Sequence, residues 1–257
     1  MIRRIDSFDN AKLLLRDSHY SRIILSHILA YGTEYDFCEF YELLKGNKRV
    51  GIFASMNSSL TVDLLDDAHS SSGCIRETAE FIRFKYPLYV EMPEVLIPRR
   101  GISEYRKEKR YFFSVPATEE VLDENGLMTE LSYEKIFETV FAGQGASYGL
   151  WLTDTMRRVN RGIVRIYGYQ SAVLTVKCQS YGRAYLADIA TPEEDRGKGY
   201  ASTLIKLVSQ ELKKEGIDCY LAADETMRDF YLRLGCTELG EDYILKLKER
   251  KDYEELV

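Results

Sequence analysis

Apolar residues in the first thirty positions recur at helical spacing, at Leu13, Leu14, Ile23, Leu25, Ile28 and Leu29. Asp6 or Ser7 stands ready to cap the start, which predicts two short helices over residues 7–31. After Gly32 the pattern becomes strand-like over residues 37–44, 49–55 and 60–65, with Gly46-Asn47 and Asn57-Ser58-Ser59 as turn signals. Those runs predict an antiparallel meander. A helix over 74–84 and a strand over 88–92 follow, and Pro93, Pro98 and Gly101 read as a junction.

A second series begins near Ser132, with helices over 133–141 and 149–159. Strands rich in β-branched and aromatic residues are expected over 163–169, 172–178 and 183–190. The helix over 200–215 has Leu204, Leu207, Val208 and Leu212 on one face and ends at Gly216. A strand over 219–223, a helix over 226–234 and a closing strand over 243–248 complete the series. Both halves therefore share one order: two helices, three strands, a helix, a strand. Thr61-Val62-Asp63-Leu64-Leu65 precedes Gly73 much as Leu186-Ala187-Asp188-Ile189-Ala190 precedes Gly199. The repeat predicts a tandem of two α/β (α+β) units, residues 1–125 and 126–257.

Composition narrows the function. With 45% hydrophobic and 30% charged residues the chain is globular in character, and its apolar runs are far shorter than the roughly 20 residues a membrane helix needs. No secretory pattern follows Met1, so a cytoplasmic protein without a membrane partner is expected. Cys38, Cys74, Cys178, Cys219 and Cys236 are odd in number and widely spaced, and His19, His27 and His69 all lie in the first third, so neither a disulfide framework nor a metal site is expected. The net charge of -6 argues against nucleic acid. The basic run Arg106-Lys107-Glu108-Lys109-Arg110 reads as a solvated helix or strand edge.

The informative segment is Arg196-Gly197-Lys198-Gly199-Tyr200-Ala201-Ser202, set between a strand and a helix. Glycines let backbone approach an anion, the first N–H groups of a helix lack internal partners, and Arg196 and Lys198 add charge. It is neither a Walker loop nor a dinucleotide fingerprint, because Ser202 stands where the third glycine would be. Residues 196–201 instead fit R/Q-x-x-G-x-G/A, and residues 128–248 resemble the GNAT superfamily of acyl-CoA N-acyltransferases. Asp224-Glu225-Thr226-Met227-Arg228-Asp229-Phe230-Tyr231-Leu232-Arg233-Leu234-Gly235-Cys236 is similar to a second family pattern, with Asp224, Met227 and Cys236 departing from its Asn, Ala and Phe.

The resemblance implies a mixed, mostly antiparallel, twisted sheet flanked by helices, with a degenerate copy in the N-terminal half. It also implies acetyl-CoA as cosubstrate, an amine acceptor, and direct attack of the amine on the thioester. Backbone at Ile189, Ala190 and Thr191 would serve the thioester arm, and Arg196, Gly197, Lys198, Gly199, Tyr200, Ala201 and Ser202 would hold the pyrophosphate. Asp224 keeps an acceptor for the cofactor arm but loses the amide donor. Tyr231 matches the family's proton donor to the leaving sulfur. Asp188 is the candidate base, as a lone acid in an apolar strand, with Glu225 a weaker rival. A monomer or homodimer is expected, and a non-catalytic acyl-CoA-binding or interaction module is the alternative.

Overall fold

The structure, a computed structural model, describes residues 1–65, 71–97, 101–117 and 126–248. His69, Ser70 and Pro98 lie outside them, as does residue 125 at the expected division. Contacts divide the chain into two units, Met1–Arg110 with Glu241–Val257, and Tyr111–Gly240.

In chain order the first unit contains β1 (Ile2–Ile5), α1 (Phe8–Lys12), α2 (His19–Tyr31), β2 (Cys38–Lys45), β3 (Lys48–Met56), β4 (Ser59–Leu64), α3 (Ser72–Lys85) and β5 (Tyr89–Glu91). The chain leaves it within β6 (Tyr105–Val115). The second unit continues with α4 (Tyr133–Phe141), α5 (Tyr148–Asn160), β7 (Arg165–Tyr169), β8 (Ala172–Ser180), β9 (Arg183–Ala190), α6 (Tyr200–Lys214), β10 (Asp218–Ala223) and α7 (Glu225–Arg233). β11 (Thr237–Leu247) then returns the chain to the first unit.

Strands β1 to β4 form an antiparallel meander, and β5 lies parallel to β4 with Leu60 opposite Val90. The next strand of this sheet is not the next in sequence. It is β11, whose Ile244, Leu245 and Lys246 run antiparallel to Glu91, Val90 and Tyr89. Phe53, Leu60, Val62, Ile82, Val90 and Leu245 form the fully buried centre of this unit. Beside them lies a buried polar group. Arg110 bridges Glu91 (3.0 Å) and Asp242 (2.9 Å), Tyr20 donates its hydroxyl to Asp242 (2.5 Å), and His19 Nε2 is 3.4 Å from Glu91.

The second unit repeats the plan, with the meander β7-β8-β9 and β10 parallel to β9. Here β6 supplies the antiparallel neighbour of β10, pairing Tyr111 with Ala223 and Val115 with Cys219. The apolar stripe of α6, Leu204, Ile205, Val208 and Leu212, packs on Phe113, Leu174, Val176, Leu186 and Leu221, as its helical spacing dictates.

Several details differ from the sequence reading. By contact the units part at Arg110/Tyr111 and Gly240/Glu241, inside β6 and β11. The region of Pro93 and Gly101 is no junction; Glu94–Leu96 is a single 3-10 turn, and Leu96 is buried in the first unit's core. The basic run is strand, with Arg110 turned inward to pair with two carboxylates. Among the described residues no helix is long and apolar enough to cross a membrane.

Candidate functional site

The parallel ladder between β9 and β10 runs from the Arg183/Asp218 pair to Leu186/Leu221. Beyond it the two strands have no mutual pairing, and β9 carries a bulge in which Asp188 and Ile189 together oppose Leu174 of β8. Asp188 occupies the left-handed region, φ 50°, which costs a non-glycine residue energy and turns the strand locally. Past the ladder opens a cleft of about 730 Å³, walled by Ile189, Ala190 and Thr191 on one side and Met227, Phe230 and Tyr231 of α7 on the other. Thr139, Val140, Ala142 and Gln144, from α4 and the turn after it, close a third side.

One end of the cleft is built for an anion. Gly197 and Gly199 have φ of 78° and 80°, so their backbone demands glycine, although a Cβ would meet nothing within 4 Å at either. Gly199 is the N-cap of the 15-residue α6, and no side chain caps that helix. Among the described residues, no acceptor engages the backbone N–H of any residue in 197–202; the first bond of the helix start is Thr203 N–H to Gly199 carbonyl at 3.0 Å. Six consecutive donors at a helix N-terminus are a favourable field for phosphate oxygens. Arg196 Nε donates to the Thr191 carbonyl (3.3 Å), which ties the loop to the end of β9. Lys198 pairs with Asp195, and this bond holds the Asp195 carboxyl below, and the Lys198 ammonium above, their ordinary ranges. The Thr191 hydroxyl is buried without a hydrogen-bond partner among the described residues.

Tyr231 stands toward the other end. Its ring packs on Phe113 (5.5 Å between centroids) and Phe230 (5.0 Å), and only 6% of the residue is exposed. Burial, then the neighbouring Cys236, Tyr185 and Asp224, raise its phenol above the ordinary value, so it stays protonated at neutral pH. The same surroundings push the Cys236 thiol up to about 11, chiefly by burial.

The expected site residues are thus partly gathered. Ile189, Ala190, Thr191, Arg196, Gly197, Gly199, Tyr200, Ala201, Ser202 and Tyr231 line one cleft, and Lys198 lies in the same loop. Asp188 is on the adjoining bulge, but its side chain is directed to Lys177 (3.8 Å) and is absent from the cleft wall. Asp224 caps α7, accepting from Thr226 N (2.9 Å) and Met227 N (3.3 Å), and does not line the cleft. Glu225 accepts from the Tyr111 hydroxyl, a packing contact in which Arg228 also covers the Tyr111 ring at 5.0 Å. Sequence reasoning gave no site role to Thr139, Val140, Ala142 or Gln144, because nothing local marks a helix that reaches the cleft only through the fold. Among the described residues no group of three or more His, Cys, Asp or Glu could hold a metal.

The cleft thus combines a helix start suited to an anion with a neutral lining from α4 and α7. Residues 126–236 match the family model described as acetyltransferase (GNAT) family. No curated protein sequence matches the chain. The fold is similar to a GCN5-related N-acetyltransferase from Sphaerobacter thermophilus, with TM-score 0.62, 12% identity, and 97% of this chain and 96% of that chain covered. It is similar also to a GNAT-family acetyltransferase from Colwellia psychrerythraea, with TM-score 0.59, 11% identity, and 96% and 100% covered. A tandem GNAT protein from the clavulanic acid biosynthesis pathway gives TM-score 0.56 and 12% identity over 97% and 99% of the two chains.

Proposed function

Because residues 126–236 are a GNAT-family acetyltransferase domain, we propose that this unit transfers an acetyl group from acetyl-CoA to a primary amine by direct attack. Acetyl-CoA would supply a thioester already activated toward amines. The observation that carries the reading is the run of six unengaged N–H groups over residues 197–202 at one end of a cleft whose other end holds a protonated, buried tyrosine. Those N–H groups, with Arg196 and Lys198 beside them, would bind the pyrophosphate. Beyond Leu186 the edge of β9 has no pairing with β10, and its backbone groups there would serve the amides of the cofactor arm and the thioester carbonyl that takes up negative charge.

Tyr231 would donate its phenolic proton to the departing sulfur. A phenol with a raised pKa is a weak acid in water, but the burial that raises it also disfavours the thiolate, as the nearby Cys236 illustrates. Asp188 would accept the amine's proton through intervening water, since its carboxylate is not on the wall itself. We read the first unit as a degenerate copy. Its Asp63, at the position matching Asp188, is enclosed by Arg16 (2.8 Å), Ser21 (2.6 Å) and Ser18, an arrangement suited to capping α2 rather than to chemistry.

Among the described residues no glutamate or aspartate lines the cleft away from its anion-binding end, which favours one second reading, a non-catalytic acyl-CoA-binding module. Release of free thiol from acetyl-CoA separates the two: amine-dependent release supports the enzyme, and cofactor binding without any release supports the module.

A further inference from the structure

The acceptor end of the cleft has a chemistry of its own. Apart from tyrosines, the ionisable side chains lining the cleft among the described residues are Asp195 and Arg196. Both belong to the anion-binding end and are engaged there, with Lys198 and with the Thr191 carbonyl. Beside Tyr231, the α4 and α7 sides of the cleft carry Val140, Ala142, Met227 and Phe230 together with the neutral Thr139 and Gln144. An acceptor carrying a second ammonium would have to desolvate it against this wall with no carboxylate to receive it.

The apolar character continues outward along the chain. Phe141 directly precedes Ala142 of the wall, and it packs with Phe137 (5.1 Å) and Trp151 (6.0 Å), while Tyr148 closes on Phe137 (5.2 Å). Gly143 and Gly145, with φ of 71° and 66°, turn the short link between α4 and α5, the two helices that carry these rings. Tyr148 remains 37% exposed, so the cluster is an open shelf rather than a sealed core. Aromatic faces of this kind bind other rings by offset or edge contacts.

We propose that the acceptor is a monoamine with an aromatic skeleton, an arylalkylamine, whose single amino group reaches Tyr231 while its ring lies against Val140, Met227 and Phe230. This inference rests on the acetyl-transfer reading above. Polyamines and lysines in basic peptides are poor acceptors because they bring further cations, and amino sugars because they have no apolar ring face to bury.

The test uses the full chain. Acetyl-CoA binding is first measured by calorimetry, and thiol release is then followed with phenethylamine, tryptamine, spermidine, glucosamine and a lysine-containing peptide. The arylalkylamines should lead in kcat/KM by roughly ten- to hundredfold, the factor expected for burying a ring. Val140→Asp, or Met227→Glu should the first variant not fold, places a carboxylate at the acceptor end. Either should shift the spermidine to phenethylamine ratio at least about tenfold toward spermidine while acetyl-CoA affinity holds. A preference for spermidine, glucosamine or the peptide in the unmodified protein overturns the acceptor assignment and leaves acetyl transfer standing. Cofactor binding with no thiol release from any amine overturns both.

Discussion

Gly199 offers a test in which strain, bulk and charge can be separated. Its φ of 80° imposes roughly 1–2 kcal/mol on any L-residue, and since a Cβ there meets nothing within 4 Å, no steric clash adds to that cost. Gly199→Ala, Gly199→Lys and Gly199→Glu therefore share one backbone penalty, which should lower Tm by a few degrees in each case. They differ in charge at the start of α6. A carboxylate about 6 Å from a pyrophosphate charge, at an effective dielectric constant near 20, costs about 3 kcal/mol, or roughly a hundredfold in Kd. Calorimetry with acetyl-CoA should thus place Gly199→Glu roughly a hundredfold above Gly199→Ala in Kd, with Gly199→Lys equal to or tighter than Gly199→Ala. Added salt should narrow the gap, because the loop is exposed. Equal affinities for the Glu and Lys variants would refute the placement of an anion at this helix start.

Two further outcomes follow from buried groups. Tyr231→Phe should lower kcat by about tenfold or more while the calorimetric Kd for acetyl-CoA stays within about twofold, since the ring packing on Phe113 and Phe230 is kept and only the group proposed for proton donation is removed; unchanged turnover would return Tyr231 to a packing role. Burial lowers the His19 pKa, against the opposing Glu91 bond, so the unfolded chain takes up a proton near the ordinary value of 6.5 while the folded chain resists. Stability should fall as pH drops below about 6.5, by at most about 1.4 kcal/mol per pH unit, and fall again below 4.5. The second fall comes from Glu91, which burial pushes up but Arg110 and His19 hold well below the ordinary value, so the unfolded chain protonates first. Thermal melts from pH 8 to about pH 3 read both limbs, and His19→Gln should remove the first and shrink the second, leaving the part of it that Arg110 carries; a pH-independent Tm would contradict the assignment.

Periodicity and punctuation were enough for most elements. The strand over 183–190 and the helix over 133–141 coincide with β9 and α4, because their patterns, bounded by Gly182 and by the Ser132 cap, are unambiguous. β6 was not legible as a strand, because alternating Lys, Arg and Glu look like a solvated surface and only the fold shows Arg110 meeting Glu91 and Asp242. At the site, glycines of positive φ and a helix start announce themselves in sequence. Which side chain a strand presents does not: the bulge at Asp188 changes the facing of one residue, and no spacing rule foresees it. Asp224 has an ordinary explanation that was visible all along, as an acid just ahead of a helix is a good N-cap.

The strand that completes the first sheet is made only after the whole second unit has been synthesised. Until residues 244–246 leave the ribosome, β5 has a bare row of backbone donors and acceptors where its partner will be. Nascent chains stalled anywhere in the second unit therefore carry an open edge able to recruit a strand from elsewhere. Their vulnerability to aggregation and to quality control is set by translation time, not by the stability of the finished fold.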